Sequence, residues 1–171
     1  AFVSGFRCAA ENYWGGFVIL KRISVDPITL IADPNEDLIM IKMRMFGSTH
    51  RGGSLAFGND GFLYLATGDQ SAYAKPQNVT TNLDGGVLRI DVDQNSAKSH
   101  NPVKKLSPNG RFSDEISGVG YGIPNDNPFS NSNGSRFEEY YTVGHRNPHR
   151  MTKDKLTGQF YIGEVGESRH E

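Results

Sequence analysis

The stretch Ser48–Gln70, STHRGGSLAFGNDGFLYLATGDQ, decides the fold. Gly53–Phe57 and Phe62–Thr67 are short apolar runs with the period-2 and aromatic character of strands. Between them lies Gly58-Asn59-Asp60-Gly61, whose residue types tolerate the positive φ of a tight turn. The stretch predicts an antiparallel hairpin. His50 precedes it and Asp69 follows it. His50 is either a surface residue beside an ordinary hairpin or a catalytic base mounted on one.

The same alternation continues on both sides. Strands are predicted near Ala1–Cys8, Phe17–Val25, Leu38–Met45, Val87–Val92, Glu138–Val143, His149–Lys153 and Gln159–Glu164. No long helical period occurs. Gly53–Phe57, Phe62–Thr67, Val87–Val92 and Glu138–Val143 make four antiparallel strands, the content of one propeller blade. A weak internal repeat supports this. GSLAFGNDGFLYLATGD and HRMTKDKLTGQFYIGEVG share a layout of short strand, polar turn ending in Gly, and aromatic strand closing on Gly plus an acid. Their turns lie about two blade lengths apart, a blade being ~40–45 residues. The excess is residues 96–136, rich in Gly, Pro, Ser and Asn, which read as a long loop inserted within the blade. The expectation is an all-β chain, residues 1–171, forming a partial β-propeller domain of roughly two and a quarter blades. Its abrupt ends point to a piece of a longer protein, or to assembly with another copy as a homo-oligomer.

Composition removes several classes. The 171 residues carry a net charge of −1, which gives no electrostatic case for nucleic acid or an anionic membrane surface. No apolar stretch approaches the ~18 residues of a membrane span. Gly (20) and Pro (8) favour turns over helices. Cys8 is the single cysteine, so an intrachain disulfide and a Cys-based zinc site are excluded, and a small buried hydrophobe is its expected role. Asn78-Val79-Thr80 and Asn133-Gly134-Ser135 are glycosylation triplets, meaningful only in a chain secreted from a eukaryote.

Four blocks carry a resemblance: HRGGSLAFGNDGFLYLATGDQ, LDGGVLRIDVD, GYGIPNDNPF and GHRNPHRMTKDKLTGQFYIGEVGE. In this order they resemble the soluble quinoprotein glucose/sorbosone dehydrogenases, which use pyrroloquinoline quinone (PQQ) and calcium on a six-bladed β-propeller. The resemblance implies oxidation of an aldose sugar at its anomeric carbon to the lactone, with electrons passed to an external acceptor. It places His50 on the general base and Asp69 on the acid that accepts a hydrogen bond from it. His50 before one strand and Asp69 after its antiparallel partner would share one rim. Arg146 and Asn147 fall on the pair that bonds the quinone oxygens. Gly166 and Glu167 fall on the two residues whose backbone carbonyls bind calcium, with Glu167 where Pro is usual. The family's periplasmic or secreted location follows by the same route. The basic residues that hold the PQQ carboxylates, and an upstream cofactor-touching glutamine, have no counterpart here.

Other residues receive plainer readings. His145 and His149 are expected to be structural, and His100 and His170 have no evident partner. Glu164, Glu167 and Glu171 are either a solvated edge or a group near calcium. Asp91–Asn95 resembles half an EF-hand loop but lacks its Gly and closing Glu. Phe57, Phe62, Tyr64, Phe160 and Tyr161 are expected in the propeller core. The alternative function is a non-catalytic extracellular propeller used for binding, or an inactive piece of the dehydrogenase; a long inserted loop suits the binding reading.

Overall fold

The computed structural model describes residues 2–8, 16–45, 49–71, 77–106 and 114–166, with the backbone alone at 2–8, 34 and 45. The strands are β1 Phe2–Cys8, β2 Gly16–Val25, β3 Ala32–Met45, β4 Gly52–Phe57, β5 Leu63–Thr67 and β6 Gly86–Ile90. They continue as β7 Ser99–His100, β8 Ile123–Pro124, β9 Tyr140–Val143, β10 Pro148–Lys153 and β11 Phe160–Glu164. Among the described residues there are four sheets: β1-β2-β3, the four-stranded β4-β5-β6-β9 and β10-β11 follow one another along the chain, and the short pair β7-β8 lies between β6 and β9 in sequence. Nearly all boundaries lie within two residues of expectation. β3 starts earlier, at Ala32, because the polar segment 32–37 continues the ladder with β2, where Ile23 pairs with Asp37. Backbone pairing there needs no apolar alternation, so the sequence pattern is silent.

Burial explains the stacking. β5 and β6 are buried along their whole length. Successive side chains of a strand point to opposite faces. Leu63, Leu65, Leu88 and Ile90 therefore join one core, shared with Val18, Leu20, Met40, Ile41 and Met43 of the first sheet. Phe62, Tyr64 and Val87 join a second core, shared with Met151 of β10 and with Phe160 and Ile162 of β11. One four-stranded sheet is thus sandwiched between two others, the packing of propeller blades. Each fully buried Leu contributes about 1.5–3 kcal/mol. On the side of the second core an open groove of about 590 Å³ remains, lined by Asp60, Tyr64, Tyr141, Thr157 and Phe160.

Two of the aromatic core expectations are corrected. Phe57 and Tyr161 are exposed, at 43% and 58%, whereas Phe62 and Tyr64 are buried. Phe57 ends β4 before the turn, and Tyr161 lies on the face of β11 opposite Phe160 and Ile162. Cys8 pairs with Gly16 through its backbone; its side chain lies outside the described residues.

The inserted segment is more ordered than its composition implies. It contains the short pair β7-β8, bridges Lys42 to Ile116 and Asp91 to Gly122, and sends Leu106, Tyr121 and Ile123 into the first core. Its apolar residues are separated by turns, so they show no period, yet each is buried singly. Carboxylates organise the turns. Glu138 accepts from the amides of Val103 (2.9 Å) and Asn131 (2.9 Å) and pairs with His100 Nε2 (3.1 Å), which supplies the partner the sequence could not name. Asp91 accepts from the amides of Asp93 and Asn95 and from the Ser99 hydroxyl. That use of both its oxygens inside one turn is why the EF-hand likeness is only superficial.

Candidate active site

The hairpin β4-β5 is built around its rim. Thr67 pairs with Gly52, and the chain then approaches itself so closely that a side chain at position 68 would run into the His50 carbonyl. Gly68 is therefore required by sterics. His50, Gln70 and Ser71 adopt left-handed φ of 54°, 58° and 70°, uncommon for residues other than glycine. Strain concentrated in this way marks a loop whose conformation is imposed by its surroundings. The amide of Gln70 donates to the His50 carbonyl (3.2 Å), and the hydroxyls of Thr49 and Ser71 share a hydrogen bond across the same gap.

His50 Nδ1 lies 2.7 Å from Asp69 Oδ1, and both side chains are mostly buried, at 13% and 17% exposure. Asp69 Oδ1 also accepts from the amide of Ser71 (2.9 Å). A carboxylate at Nδ1 selects the tautomer with its proton there, leaving Nε2 as the acceptor. Among the described residues, Nε2 of His50 has no hydrogen-bond partner.

Arg146 and Asn147 sit on the next loop of the same rim, between β9 and β10. The Asp69 amide donates to the Arg146 carbonyl (2.8 Å), and the Gly52 amide to Asn147 Oδ1 (3.3 Å). Arg146 Nη1 donates to the carbonyl of Val165 (2.7 Å), and the Val165 amide to the carbonyl of Asn147 (3.1 Å). The four residues expected to act together thus share one hydrogen-bonded rim, joined largely through backbone groups. Gly166 follows Val165 on that rim; Glu167 lies outside the described residues, as do His170 and Glu171.

Sequence reasoning underrated three residues. Glu164 is a bracket: its carboxylate accepts from the Asn147 amide (2.5 Å) and pairs with His145 Nδ1 (3.0 Å), while His145 Nε2 meets the Thr142 hydroxyl (2.8 Å). Histidine and acid are 19 residues apart both here and in His50–Asp69, so the internal repeat could have flagged the second pair. Gln70 and Asp84 are both 2% exposed and joined at 2.5 Å. Burial pushes the Asp84 carboxyl up to about 7, helped by the negative charge of Glu115 and Asp69 and opposed by the bond from Gln70. No sequence pattern announces that a polar residue beside a Gly-Gly will be enclosed.

The donor set tests the implied cofactors. A guanidinium and a carboxamide at the rim, beside an imidazole with an open acceptor, suit a ligand rich in carbonyl and carboxylate oxygens. For calcium the match is incomplete. Among the described residues no cluster of three or more His, Cys, Asp or Glu side chains is placed to hold a metal. The Gly166 carbonyl is the one expected ligand in that set.

Stacked antiparallel sheets with a polar site at one rim define this molecule as a β-propeller. The fold is shared with two solved glucose dehydrogenases. One matches with TM-score 0.61 and 21% identity, covering 96% of this chain and 39% of that one. The other matches with TM-score 0.61 and 22% identity, covering 96% and 42%. Residues 29–121 and 119–171 match the model of the glucose/sorbosone dehydrogenase family, and the chain belongs to that family. Among curated proteins, HIPL1 protein of Arabidopsis thaliana is 31% identical over 144 residues, 82% of this chain and 19% of its own length. HIPL2 protein of the same plant is 34% identical over 130 residues, 74% and 17%. The chain thus spans less than a fifth of those relatives.

Proposed function

We propose that this chain supplies part of the active site of a PQQ-dependent sugar dehydrogenase that oxidises an aldose at its anomeric carbon to the lactone. The observation that carries the reading is the His50–Asp69 pair at 2.7 Å, with an open Nε2, on the rim that also holds Arg146 and Asn147. His50 Nε2 takes the proton of the anomeric hydroxyl as the lactone carbonyl forms. Asp69 keeps the ring oriented and stabilises its protonated form, a contribution typical of general-base catalysis at ~10²–10⁴-fold. PQQ, when bound, would supply the hydride acceptor. Arg146 and Asn147 would hold its ring, the guanidinium and the carboxamide being suited to carbonyl oxygens that become more negative. The backbone carbonyl of Gly166 would be one oxygen ligand for calcium. A periplasmic or secreted site of action belongs to the same reading.

The test is reconstitution of the full-length protein with PQQ and calcium, followed by dye reduction across a panel of aldoses. Reduction with at least one sugar, lost in His50→Ala, supports the reading. No reduction with any sugar overturns it and favours a propeller used for binding.

A further inference from the structure

Three non-glycine residues in the left-handed region crowd one loop pair at the rim, and something must hold them there. Gln70 is the link. Its amide holds the His50 carbonyl (3.2 Å), and its side-chain nitrogen donates to Asp84 Oδ1 (2.5 Å) and to the Arg44 carbonyl at the end of β3 (3.1 Å). Asp84 is itself anchored: Asn82 Nδ2 donates to its other oxygen (2.6 Å), and the Tyr140 hydroxyl donates to its carbonyl (2.8 Å). The peptide preceding β6 joins the same structure, with the Gly85 amide on the Gly68 carbonyl (3.0 Å).

We propose that Asp84 and Gln70 form a buried strut that positions the His50–Asp69 pair, so that both are positioning residues for the proton transfer assigned to His50. The strut reaches that pair through the Gln70 amide and through Asp69, its neighbour in sequence. Its location between β3, the loop after β5 and the start of β6 means that it fixes the His50 backbone relative to two sheets at once. This inference rests on the proposed role of His50, but the geometry of the strut does not.

Asp84 adds a titratable element. The groups that face it are Asp69 from its own loop region, Glu115 from the inserted segment and Tyr140 from β9. Both acids favour its neutral form. A proton on Asp84 has an acceptor within reach: Asn82 Oδ1 is buried and has no hydrogen-bond partner among the described residues, and a turn of that amide presents it to the carboxyl. In either protonation state Oδ1 stays free to accept from Gln70, so the strut persists through neutral pH.

The experiment records ring-nitrogen NMR of histidine-labelled protein, with the side-chain amide of Gln70 followed against pH. Wild type is expected to show the Nδ1-protonated tautomer of His50, and Asp69→Asn serves as the control that loses it. Asp84→Asn keeps a carbonyl for Gln70 and is expected to retain the ring signature, while the Gln70 amide ceases to titrate near pH 7. Gln70→Met, of similar size, and Asp84→Ala are expected to give a mixed tautomer. Where Asp84→Ala does not fold, Gln70→Met decides. In the dye assay, Gln70→Met is expected to lower kcat roughly 10- to 100-fold with KM little changed. A folded Gln70→Met protein with the wild-type ring spectrum overturns the strut. Absence of dye reduction in wild type overturns the dehydrogenase reading and leaves the ring spectra to judge the strut independently.

Discussion

Two hairpins of this chain present a histidine and an acid at the same rim, and they use them differently. In His50–Asp69 the imidazole is engaged through Nδ1 and its Nε2 has no partner among the described residues. In His145–Glu164 both ring nitrogens are occupied, one by the acid and the other by Thr142, and the acid also holds the Asn147 amide. The layout is repeated, with an equal spacing along the chain. Each acid also holds one backbone amide, Ser71 for Asp69 and Asn147 for Glu164, so what differs at the ring is one hydroxyl, that of Thr142. A base needs an unspent acceptor, whereas a bracket needs every polar atom spent. The comparison separates the ring proposed to move a proton, which keeps an acceptor to spare among the described residues, from one whose polar atoms hold the Arg146–Asn147 loop.

The largest break of that comparison is His50→Ala. Dye reduction by the reconstituted protein is expected to fall ~10²–10⁴-fold, with the unfolding midpoint little changed, as measured by turnover and thermal denaturation on one preparation. The next test asks whether the rim is independent of the far end of the blade. There Arg89, nearly buried, donates to Asp60 through Nε and Nη2 and to Asp126 and Asn127 through Nη1, and lies over the Phe62 ring at 4.6 Å. Arg89→Met removes these charge-assisted bonds, whose acids Asp60 and Asp126 still reach solvent, and is expected to cost about 2 kcal/mol in a urea titration. Turnover per folded molecule should stay at the wild-type level.

A pH series sharpens the contrast between spent and stored protons. Burial raises both Asp84 and Glu139 to about 7. The folded protein therefore keeps protons that the unfolded chain releases above pH ~4. Stability falls as pH rises from about 5 to about 7, with a slope of up to ~1.4 kcal/mol per pH unit for each group, and levels off above. His100 acts in the same direction near neutrality: burial opposes its charge, but Asn125 and Glu138 hold its pKa up. Carboxylates whose pKa values are lowered, Glu138 and Asp126 among them, are already ionised across this window and contribute no slope. Asp84→Asn and Glu139→Gln should each flatten the curve, as read from urea midpoints between pH 5 and 8. The smallest expected effect is Thr142→Val, which removes the hydroxyl that caps His145 Nε2. It is expected to cost about 1 kcal/mol in the same titration, and the His145 ring spectrum should change while that of His50 does not.

The strands of this fold were legible because β4, β5, β6 and β9 to β11 alternate or run apolar between strong turn signals. The rim placement of His50 and Asp69 followed from the strand and turn count alone. The inserted segment was not legible, since Leu106, Tyr121 and Ile123 are buried one at a time without a period. Nor was the enclosure of Gln70, Asp84 and Glu139, because burial of a polar side chain depends on partners brought from distant parts of the chain. The bracket role of Glu164 lay between these cases: the repeat exposed the spacing, while Thr142 and the Asn147 amide emerged only in three dimensions.

The groove beside the second core has a mechanical consequence. Across the seam between the four-stranded sheet and β10-β11, the rim is stitched by the Asp69–Arg146 and Gly52–Asn147 bonds. Below it, Ser54 bonds the backbone of Met151, and further out the gap opens. Farther from the rim the same seam is closed again by side chains: the Tyr64 and Phe160 rings meet at 4.5 Å and Asn59 lies against Gly158. The two sheets are therefore clamped at both ends of the groove, and the spacing of His50 and Asn147 is set by backbone bonds at one end and backed by ring packing at the other.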